Sequence, residues 1–308
     1  MKALLLVFII VAHQALAQPS ETRPGTSQSD WFLAPRDKVA LFLIGIETPF
    51  RNFNQFEKKK EKCLAGHLLP FQLCQTIEKI QIVPKIYEIS LDSFLDEETS
   101  LLFIGERHSD QYPKELLTQW LRELQETYGF DTLGLEMINS KDQNILDSYL
   151  EGIVTEDDFK KLFEEEWHYP SEGYLALIRE AKRIGLSIVA LDAREKGSIR
   201  DMSESLSKRD RHWGKVITKH FKNQNKSKMV VLSGKLHALE SFKTESLETE
   251  IEITKRESNI KAQSALIFED RASFLQKAII EHYYPDQTQY LYKGADLSPF
   301  ASALIYRR

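Results

Sequence analysis

Two Gly-x-x-His elements, well separated along the chain, each follow a short apolar run. The first has the sequence GERH and ends in His108, after the run LLFI; the second has the sequence GKLH and ends in His237, after the run MVVL. A buried strand that stops at a glycine places the polar residues after it at the carboxyl edge of a sheet, where α/β proteins keep their sites. The pairing therefore predicts that both imidazoles belong to one polar site.

Three carboxylates are expected at the same edge. Glu106 lies inside the first element, while Glu136 and Asp192 close two further apolar runs. Histidine and carboxylate together suit Zn, Mn, Fe or Co, so the predicted divalent-metal ligands are Glu106, His108, Glu136 and His237. Metal-bound water has a lowered pKa, and Glu106 or Glu136 would act as general base if it does not bind the metal. A hydrogen-bonded structural histidine is the alternative for each imidazole.

The elements that would position these groups alternate between strands and helices. Apolar runs predict strands at 101–104, 132–137, 186–192 and 228–232, and helical spacing predicts helices at 113–128, 142–150, 155–167, 174–184 and 210–221. Strands buried on both faces and joined by helical crossovers predict an α/β fold with a mostly parallel sheet flanked by helices. Residues 167–170 (WHYP) are expected to pack over the sheet, with a substrate-facing lid as the alternative.

The last part of the chain has a less regular pattern. We predict a strand at 263–268, a helix at 271–283 and a last strand at 303–306, at the edge of the sheet. Residues 244–256 alternate acidic and apolar residues, which predicts an exposed strand or an excursion near the site.

Composition and charge exclude several function classes. The chain has 308 residues, of which 42% are hydrophobic and 28% are charged, as is typical of a globular protein. A net charge of −5 gives no basic field that would attract nucleic acid or an anionic membrane surface. The glycines lack the spacing of a phosphate-binding loop, and no Gly-x-Ser-x-Gly elbow occurs, which argues against serine esterase chemistry.

The first 17 residues have the pattern of a cleaved signal peptide. Lys2 precedes an apolar core at 4–12, and the small residues Ala15 and Ala17 form a cleavage site. This core is shorter than the ~20 residues that span a bilayer. We therefore predict cleavage near Ala17, export to the periplasm or outside the cell, and no stable membrane span; an uncleaved anchor is the alternative. Residues 18–35, rich in Ser, Thr and Pro, predict a disordered leader.

Residues 36–98 are expected to form an N-terminal extension of a main domain at 99–308. Cys63 and Cys74 are the two cysteines of the chain, and an oxidising compartment favours a disulfide between them. Closing a loop of this length contributes about 3 kcal/mol in the chain-entropy model. A metal site that includes His67 is the alternative.

Short motifs follow one another in a recognisable order from residue 101 to about 238. They are IGERH (104–108), LGLEM (133–137), LDSYLEG (146–152), Trp167, AKRIG (181–185), VALD (189–192), RDRHW (209–213) and VVLSGKLHA (230–238). This series resembles the haem-binding uptake and Tiki superfamily, most closely its ChaN-like branch. Related proteins include metal-dependent Tiki proteases and erythromycin-esterase-like hydrolases.

The resemblance implies an α/β domain whose site lies at the strand ends. It also implies one of two activities: uptake of iron as bound haem, or metal-dependent hydrolysis of peptides or esters. By position, the residues that match the polar core of the family are Glu106, His108, Glu136 and His237. Arg209 matches a family arginine, which we expect to stabilise developing negative charge, and Arg200 offers a competing match.

Three functional hypotheses are open at this point. The leading one is an exported metal-dependent hydrolase, in which Glu106, Glu136 and Arg209 act on a peptide or ester bond of a peptide or small-molecule substrate. The second is a non-catalytic haem-binding protein of iron uptake, and the third is an inactive scaffold. The family's haem ligand is a tyrosine; the candidates are Tyr112, Tyr149, Tyr169 and Tyr174, with core or surface packing as the alternative role of each.

Overall fold

The computed structural model describes residues 53–65, 74, 84–193, 202–240, 250–269, 277–294 and 301–308. The predicted signal peptide, the predicted leader and much of the predicted N-terminal extension lie outside these ranges. Helix α1 spans Phe53–Leu64, and Cys63 and Cys74 form the predicted disulfide, with their Cα atoms 5.5 Å apart. No helix within the described ranges is long and apolar enough to cross a membrane.

The described strands form one sheet of eight. They are β1 (Ile86–Tyr87), β2 (Leu101–Glu106), β3 (Thr132–Asn139), β4 (Ser187–Asp192), β5 (Met229–Gly234), β6 (Ala262–Glu269), β7 (Gln289–Tyr292) and β8 (Ala303–Arg307). Their order across the sheet is β1-β7-β8-β6-β2-β5-β3-β4. Neighbours from β8 to β4 are parallel, whereas β7 is antiparallel to both β8 and β1. The predicted α/β fold with a mostly parallel sheet is confirmed.

Helices flank this sheet and connect its parallel strands. They are α2 (Tyr112–Glu126), α3 (Gln143–Leu150), α4 (Glu156–Glu166), α5 (Glu172–Ile184), α6 (Met202–Asn223), α7 (Glu250–Ser258) and α8 (Lys277–Tyr283). A single 3-10 turn, Ser140–Asp142, joins β3 to α3. Helix α5 ends where its sequence predicts, because Gly185 adopts φ 77°, a left-handed conformation that glycine accepts without steric cost.

Strand β2 is covered on both faces. Its Leu102 and Ile104 belong to the apolar layer that includes residues of α2 and α5, whereas Leu101 and Phe103 belong to the layer that includes Trp213 of α6. Successive side chains of a strand point to opposite faces, and because both faces are covered these four side chains are fully buried. The carboxyl end of β2 is therefore held between two packed layers.

The carboxyl ends of β2, β3, β4 and β5 lie along one edge of the sheet. The pairing of β2 with β5 places Glu106 opposite Gly234, so the two Gly-x-x-His elements lie side by side. The register between β3 and β4 shifts between Leu135 and Asn139, and Glu136 falls in this irregular segment. Such irregularities redirect side chains near functional sites.

The predicted position of the last strand is wrong. The strand predicted at 303–306 is present as β8, but it lies between β6 and β7 and not at the sheet edge. The reason is β7, which the sequence did not predict and which pairs with the outer side of β8. The preceding strand β6 and the described part of the predicted 271–283 helix, α8, are present.

The exposed strand predicted within 244–256 is also wrong over its described part. Residues 250–258 form helix α7, and Ile253 is buried against α6. Gly214 of α6 permits this close approach, because a Cβ at that position would lie 2.6 Å from Ile253 Cγ2. Helix packing, which the alternation of residue types does not reveal, therefore decides the structure of this segment.

Candidate active site

Four of the predicted side chains converge at the carboxyl edge of the sheet. Glu106 ends β2 and His108 follows it, while Glu136 lies in β3 and His237 follows β5. Glu136 Oε1 lies 3.8 Å from His108 Nε2 and 3.7 Å from His237 Nε2. Residues that are distant in the sequence therefore meet around one carboxylate oxygen.

The His108 ring is held from three sides. Its Nδ1 forms a hydrogen bond with Glu106 Oε1 at 3.1 Å, and because an ionised carboxylate only accepts, Nδ1 is the donor. The Trp167 ring meets it edge-on and the Tyr169 ring is tilted against it, each with a centroid distance of 4.9 Å. These contacts leave Nε2 directed towards Glu136.

The His237 ring has its own carboxylate, from helix α6. Its Nδ1 lies 2.8 Å from Asp210 Oδ1, and its ring stacks on Trp213 with a centroid distance of 4.4 Å. All three side chains are buried. The sequence motif RDRHW contains both α6 residues, but no pattern within the sequence shows that they would contact a histidine from another element.

Glu136 is the buried carboxylate between the two imidazoles. Its Oε1 accepts a hydrogen bond of 2.8 Å from Arg209 Nη2, and its Oε2 accepts one of 2.6 Å from the backbone N–H of Gly234. Burial raises the pKa of Glu136, but His237, His108, Arg209 and the Gly234 N–H together outweigh it and hold the pKa well below its ordinary value. Glu136 is therefore an anion at neutral pH and a weak base.

Arg209 links two strand ends. Its Nε donates to Asp192 Oδ1 at the end of β4, at 2.8 Å, and its guanidinium lies 5.5 Å from the centre of the Trp213 ring. Burial lowers the pKa of Arg209, but Asp192 and Glu136 raise the pKa by more than burial lowers it, so the guanidinium keeps its charge. The competing match, Arg200, lies outside the described residues.

Glu106 is bound by two residues to which the sequence gave no such role. Tyr174 of α5 donates its hydroxyl hydrogen to Glu106 Oε1, and Lys114 Nζ of α2 lies 2.5 Å from Glu106 Oε2. A lysine on an amphipathic helix is normally solvated, so no sequence signal distinguishes Lys114 from the exposed lysines of the chain.

The glycines of the two elements permit close approach and are not needed for a left-handed backbone. A Cβ at Gly234 would lie 3.2 Å from His108 Nε2 and 3.4 Å from Glu136 Oε2, inside the cluster. A Cβ at Gly105 would lie 2.6 Å from both Ala238 Cβ and a methyl of Leu266. Glycine at these positions therefore lets the strand ends and the site side chains pack together.

The cluster is accessible mainly past two side chains. His108 is 16% exposed and Arg209 14%, whereas the Glu136 and His237 side chains are 4% and 6% exposed. Tyr169, which contacts His108, is partly exposed beside this opening. The WHYP segment therefore flanks the approach to His108 and packs into the domain through Trp167.

The donor atoms do not form a metal-ligand set. Within the described ranges, no group of three or more His, Cys, Asp or Glu side chains is arranged to hold a metal ion. Cations of the protein already occupy the carboxylates, because Arg209 donates to Glu136 and Lys114 pairs with Glu106. A metal at Glu136 Oε1 would bind beside the Arg209 guanidinium, whose positive charge would oppose it. The predicted divalent metal is therefore not supported by this geometry.

Three of the four candidate haem-ligand tyrosines do not fit that role. Tyr112 and Tyr149 are buried, and Tyr149 stacks on Phe159 at 4.5 Å. Tyr174 is fully buried, and its hydroxyl binds Glu106. An iron ligand needs an accessible phenolate. Tyr169 is the candidate with partial exposure.

Comparison with known families identifies the central part of the chain. Residues 97–208 match the family described as haem-binding uptake, Tiki superfamily, ChaN. The matched segment is about a third of the chain, and it agrees with the resemblance to the ChaN and Tiki superfamily that the sequence motifs indicate. The match covers α2 to α5 and the strands β2, β3 and β4, which together carry Glu106, His108 and Glu136. No curated protein sequence is significantly similar to the chain.

Several solved structures are similar to the chain at low sequence identity. An erythromycin esterase mutant, EreC in its open conformation, superposes with a TM-score of 0.52 at 10% identity, over 70% of this chain and 92% of that chain. The type III effector HopBA1 gives 0.48 at 15% identity, over 74% and 97%. ChaN of Campylobacter jejuni, whose structure shows cofacial haem binding, gives 0.42 at 10% identity, over 69% and 89%. The similarity to the esterase shows that the two chains share a fold and nothing further.

Glu136→Gln is expected to lower the free energy of unfolding at neutral pH and to lose that effect in acid. The Glu136 pKa is lowered in the folded protein, so the unfolded chain takes up the proton first as the pH falls below the ordinary value of 4.5. The stabilisation is therefore fully present above that pH and is lost below it. Urea unfolding of both proteins between about pH 7 and about pH 3 measures the difference.

Glu165→Gln is the matched control, because Glu165 is exposed and its replacement removes the same charge. The stability difference between wild type and Glu165→Gln should not change between about pH 7 and about pH 3. A stability difference between wild type and Glu136→Gln that stays constant across this pH range would contradict the lowered pKa of Glu136.

Proposed function

We propose that the protein hydrolyses a peptide or ester bond by acid–base catalysis with two histidines held by carboxylates. One observation carries the proposal: the Nε2 atoms of His108 and His237 both face Glu136 Oε1, at 3.8 and 3.7 Å, while each Nδ1 contacts another carboxylate. A carboxylate at Nδ1 fixes the imidazole tautomer whose Nε2 carries a lone pair. This is the arrangement of a general base with its orienting group.

The separation between each Nε2 and Glu136 suits a water molecule that binds more than one of these groups. Polar atoms more than 3.5 Å apart are commonly bridged by water. In the proposed reaction His108, the more accessible imidazole, takes a proton from this water as its oxygen attacks the carbonyl carbon. The resulting imidazolium gives the proton to the leaving amine or alcohol when the scissile bond breaks.

The other members of the cluster stabilise charge in this scheme. Glu136 remains an anion and stabilises the imidazolium, while Asp210 orients His237 so that its Nε2 positions the water. The Arg209 guanidinium has five N–H donors, and its contacts with Glu136 and Asp192 use Nη2 and Nε. Its remaining donors would stabilise the oxyanion in this scheme. Glu106 orients His108 and is not the general base.

The proposed mechanism differs from the metal-dependent hydrolysis expected from the sequence, because it uses imidazoles in place of a metal ion. The Arg209 and Lys114 cations neutralise the carboxylates that a divalent metal would need. The imidazoles supply the base and the acid without a metal. We propose a peptide or an ester-containing small molecule as substrate, reached past His108 and Tyr169.

We also propose that the protein is exported. The Cys63–Cys74 disulfide is favoured in an oxidising compartment, and the apolar segment near the N-terminus has the pattern of a signal peptide.

His108→Ala and His237→Ala are each expected to lower kcat by about 10²–10⁴-fold, because each removes an imidazole from the proton-transfer site. The assay is hydrolysis of a panel of fluorogenic peptides and aryl esters by the purified protein. His168→Ala is the matched control, since His168 lies in the WHYP segment but is exposed. It should retain wild-type kcat.

Treatment with a chelator distinguishes the proposed metal-free hydrolysis from metal-dependent hydrolysis. Activity is expected to persist after dialysis against EDTA, because the proposed proton transfers need only protein side chains. Activity that disappears with EDTA and returns with Zn²⁺ or Mn²⁺ would replace this mechanism by the metal-dependent one. No hydrolysis of any panel substrate by wild type, or an equal loss in His168→Ala, would contradict the proposal.

The superfamily match favours haem binding as a second candidate function. Tyr169, partly exposed beside His108, is the described tyrosine that would ligate the iron. Haem titration followed in the Soret region tests it. For the hydrolase we expect no saturable Soret shift at sub-micromolar haem. A tight shift in wild type that is lost in Tyr169→Phe but retained in Tyr149→Phe would establish the haem-binding function instead.

A further inference from the structure

We propose that Lys114 is a positioning residue, whose buried ammonium group acts with the Tyr174 hydroxyl to fix Glu106 and thereby the tautomer and orientation of His108. The effect on catalysis rests on the proposed hydrolase function, whereas the effect on His108 does not.

The burial of Lys114 is the first argument. Its side chain is 2% exposed, and the Glu106 side chain is fully buried. Burying an ammonium group costs several kcal/mol unless a counter-charge and hydrogen-bond acceptors compensate. Lys114 Nζ lies 2.5 Å from Glu106 Oε2, and no other described residue donates a hydrogen bond to that oxygen, so the ammonium is its compensating charge.

The backbone contacts of Lys114 are the second argument. Nζ donates to the carbonyl oxygens of His108 at 2.9 Å and Asp110 at 2.5 Å, and lies 3.4 Å from that of Arg107. These carbonyls belong to the turn between β2 and α2, which carries His108. One ammonium group therefore ties this turn to the first turn of α2 and to the end of β2.

Tyr174 completes the arrangement from α5. Its hydroxyl donates to Glu106 Oε1 and lies 3.4 Å from the His108 carbonyl oxygen, and Lys114 Nζ lies 4.5 Å from the centre of its ring. Burial, with a further contribution from Glu106, raises the pKa of Tyr174, so the phenol keeps the hydrogen that it donates. The structure thus gives a candidate haem ligand a different role.

Fixing Glu106 has a direct consequence for His108. Glu106 Oε1 accepts from both Tyr174 and His108 Nδ1, while Oε2 faces Lys114. A carboxylate held in this way selects the tautomer with the hydrogen on Nδ1 and leaves the Nε2 lone pair facing Glu136. Without Lys114, Oε2 would lose its counter-charge in a buried position, and the carboxylate would have to move. Nδ1 would then lose its fixed acceptor.

Lys114→Met is the main test, because Met retains the length and apolar character of the lysine stem. The readout is the tautomer of His108, measured by long-range proton–nitrogen NMR of the imidazole at a pH where the ring is neutral. We expect wild type to carry the hydrogen almost entirely on Nδ1, and Lys114→Met to populate both tautomers. With an active substrate, kcat should fall by about 10²-fold at a nearly unchanged KM.

Lys182→Met is the matched control. Lys182 Nζ contacts the backbone carbonyl of Tyr149 and lies 4.1 Å from the centre of the Tyr149 ring, so it resembles Lys114 but touches no residue of the site. It should leave the His108 tautomer and kcat unchanged. Tyr174→Phe, which removes only one hydroxyl, should shift the tautomer in the same direction as Lys114→Met and serves if the latter does not fold.

A double variant tests whether Lys114 acts through Glu106. If it does, Glu106→Gln/Lys114→Met should lose no more kcat than Glu106→Gln alone. A folded Lys114→Met protein whose His108 remains in the Nδ1–H tautomer would overturn the inference, as would fully additive losses. If wild type hydrolyses nothing, the tautomer measurement still decides the role of Lys114, while the proposed function fails separately.

Discussion

The buried ion pair of Glu136 with Arg209 holds the site together. Glu136 comes from β3 and Arg209 from α6, and the guanidinium also reaches Asp192 at the end of β4. The second oxygen of Glu136 binds the backbone of Gly234, where β5 ends. One carboxylate and one guanidinium thus fix three strand ends and a helix relative to one another. Removing either partner would leave an uncompensated buried charge, which typically costs 3–5 kcal/mol.

The two histidines lie at similar distances from Glu136 Oε1, but their surroundings differ. His108 is bounded by aromatic rings, partly exposed and held by Glu106; His237 is buried on Trp213 next to Asp210. The lysine and arginine cations compensate carboxylates that would otherwise repel one another at this edge. The described part of the site is therefore a network of paired charges, in which each buried carboxylate contacts a cation or an imidazole.

The sequence predicted the framework of the site well. The apolar runs located β2 to β5, and parallel pairing alone required their carboxyl ends to share an edge, so His108, Glu136 and His237 meet as predicted. Gly105 and Gly234 allow neighbouring atoms to approach the backbone closely. The Gly-x-x-His spacing predicted that each strand ends at its glycine, but not this close packing.

The sequence could not reveal contacts made across elements. Lys114 and Tyr174 lie on helices whose periodicity describes which face is apolar and not which carboxylate lies below it. Asp210 follows Arg209 directly, and only the packing of α6 on the sheet shows that the two residues serve different partners. The same limitation explains β8, whose strand pattern was recognised although its neighbour β7 was not.

The most direct test of the account is a double-mutant cycle on Glu136→Gln and Arg209→Met, measured by urea unfolding at neutral pH. If the buried pair organises the site, each single variant should be destabilised and the pair should show a coupling energy of about 1–3 kcal/mol. Losses that add to within about 0.5 kcal/mol would show that the two residues do not depend on each other. That result would contradict the central role given to Glu136.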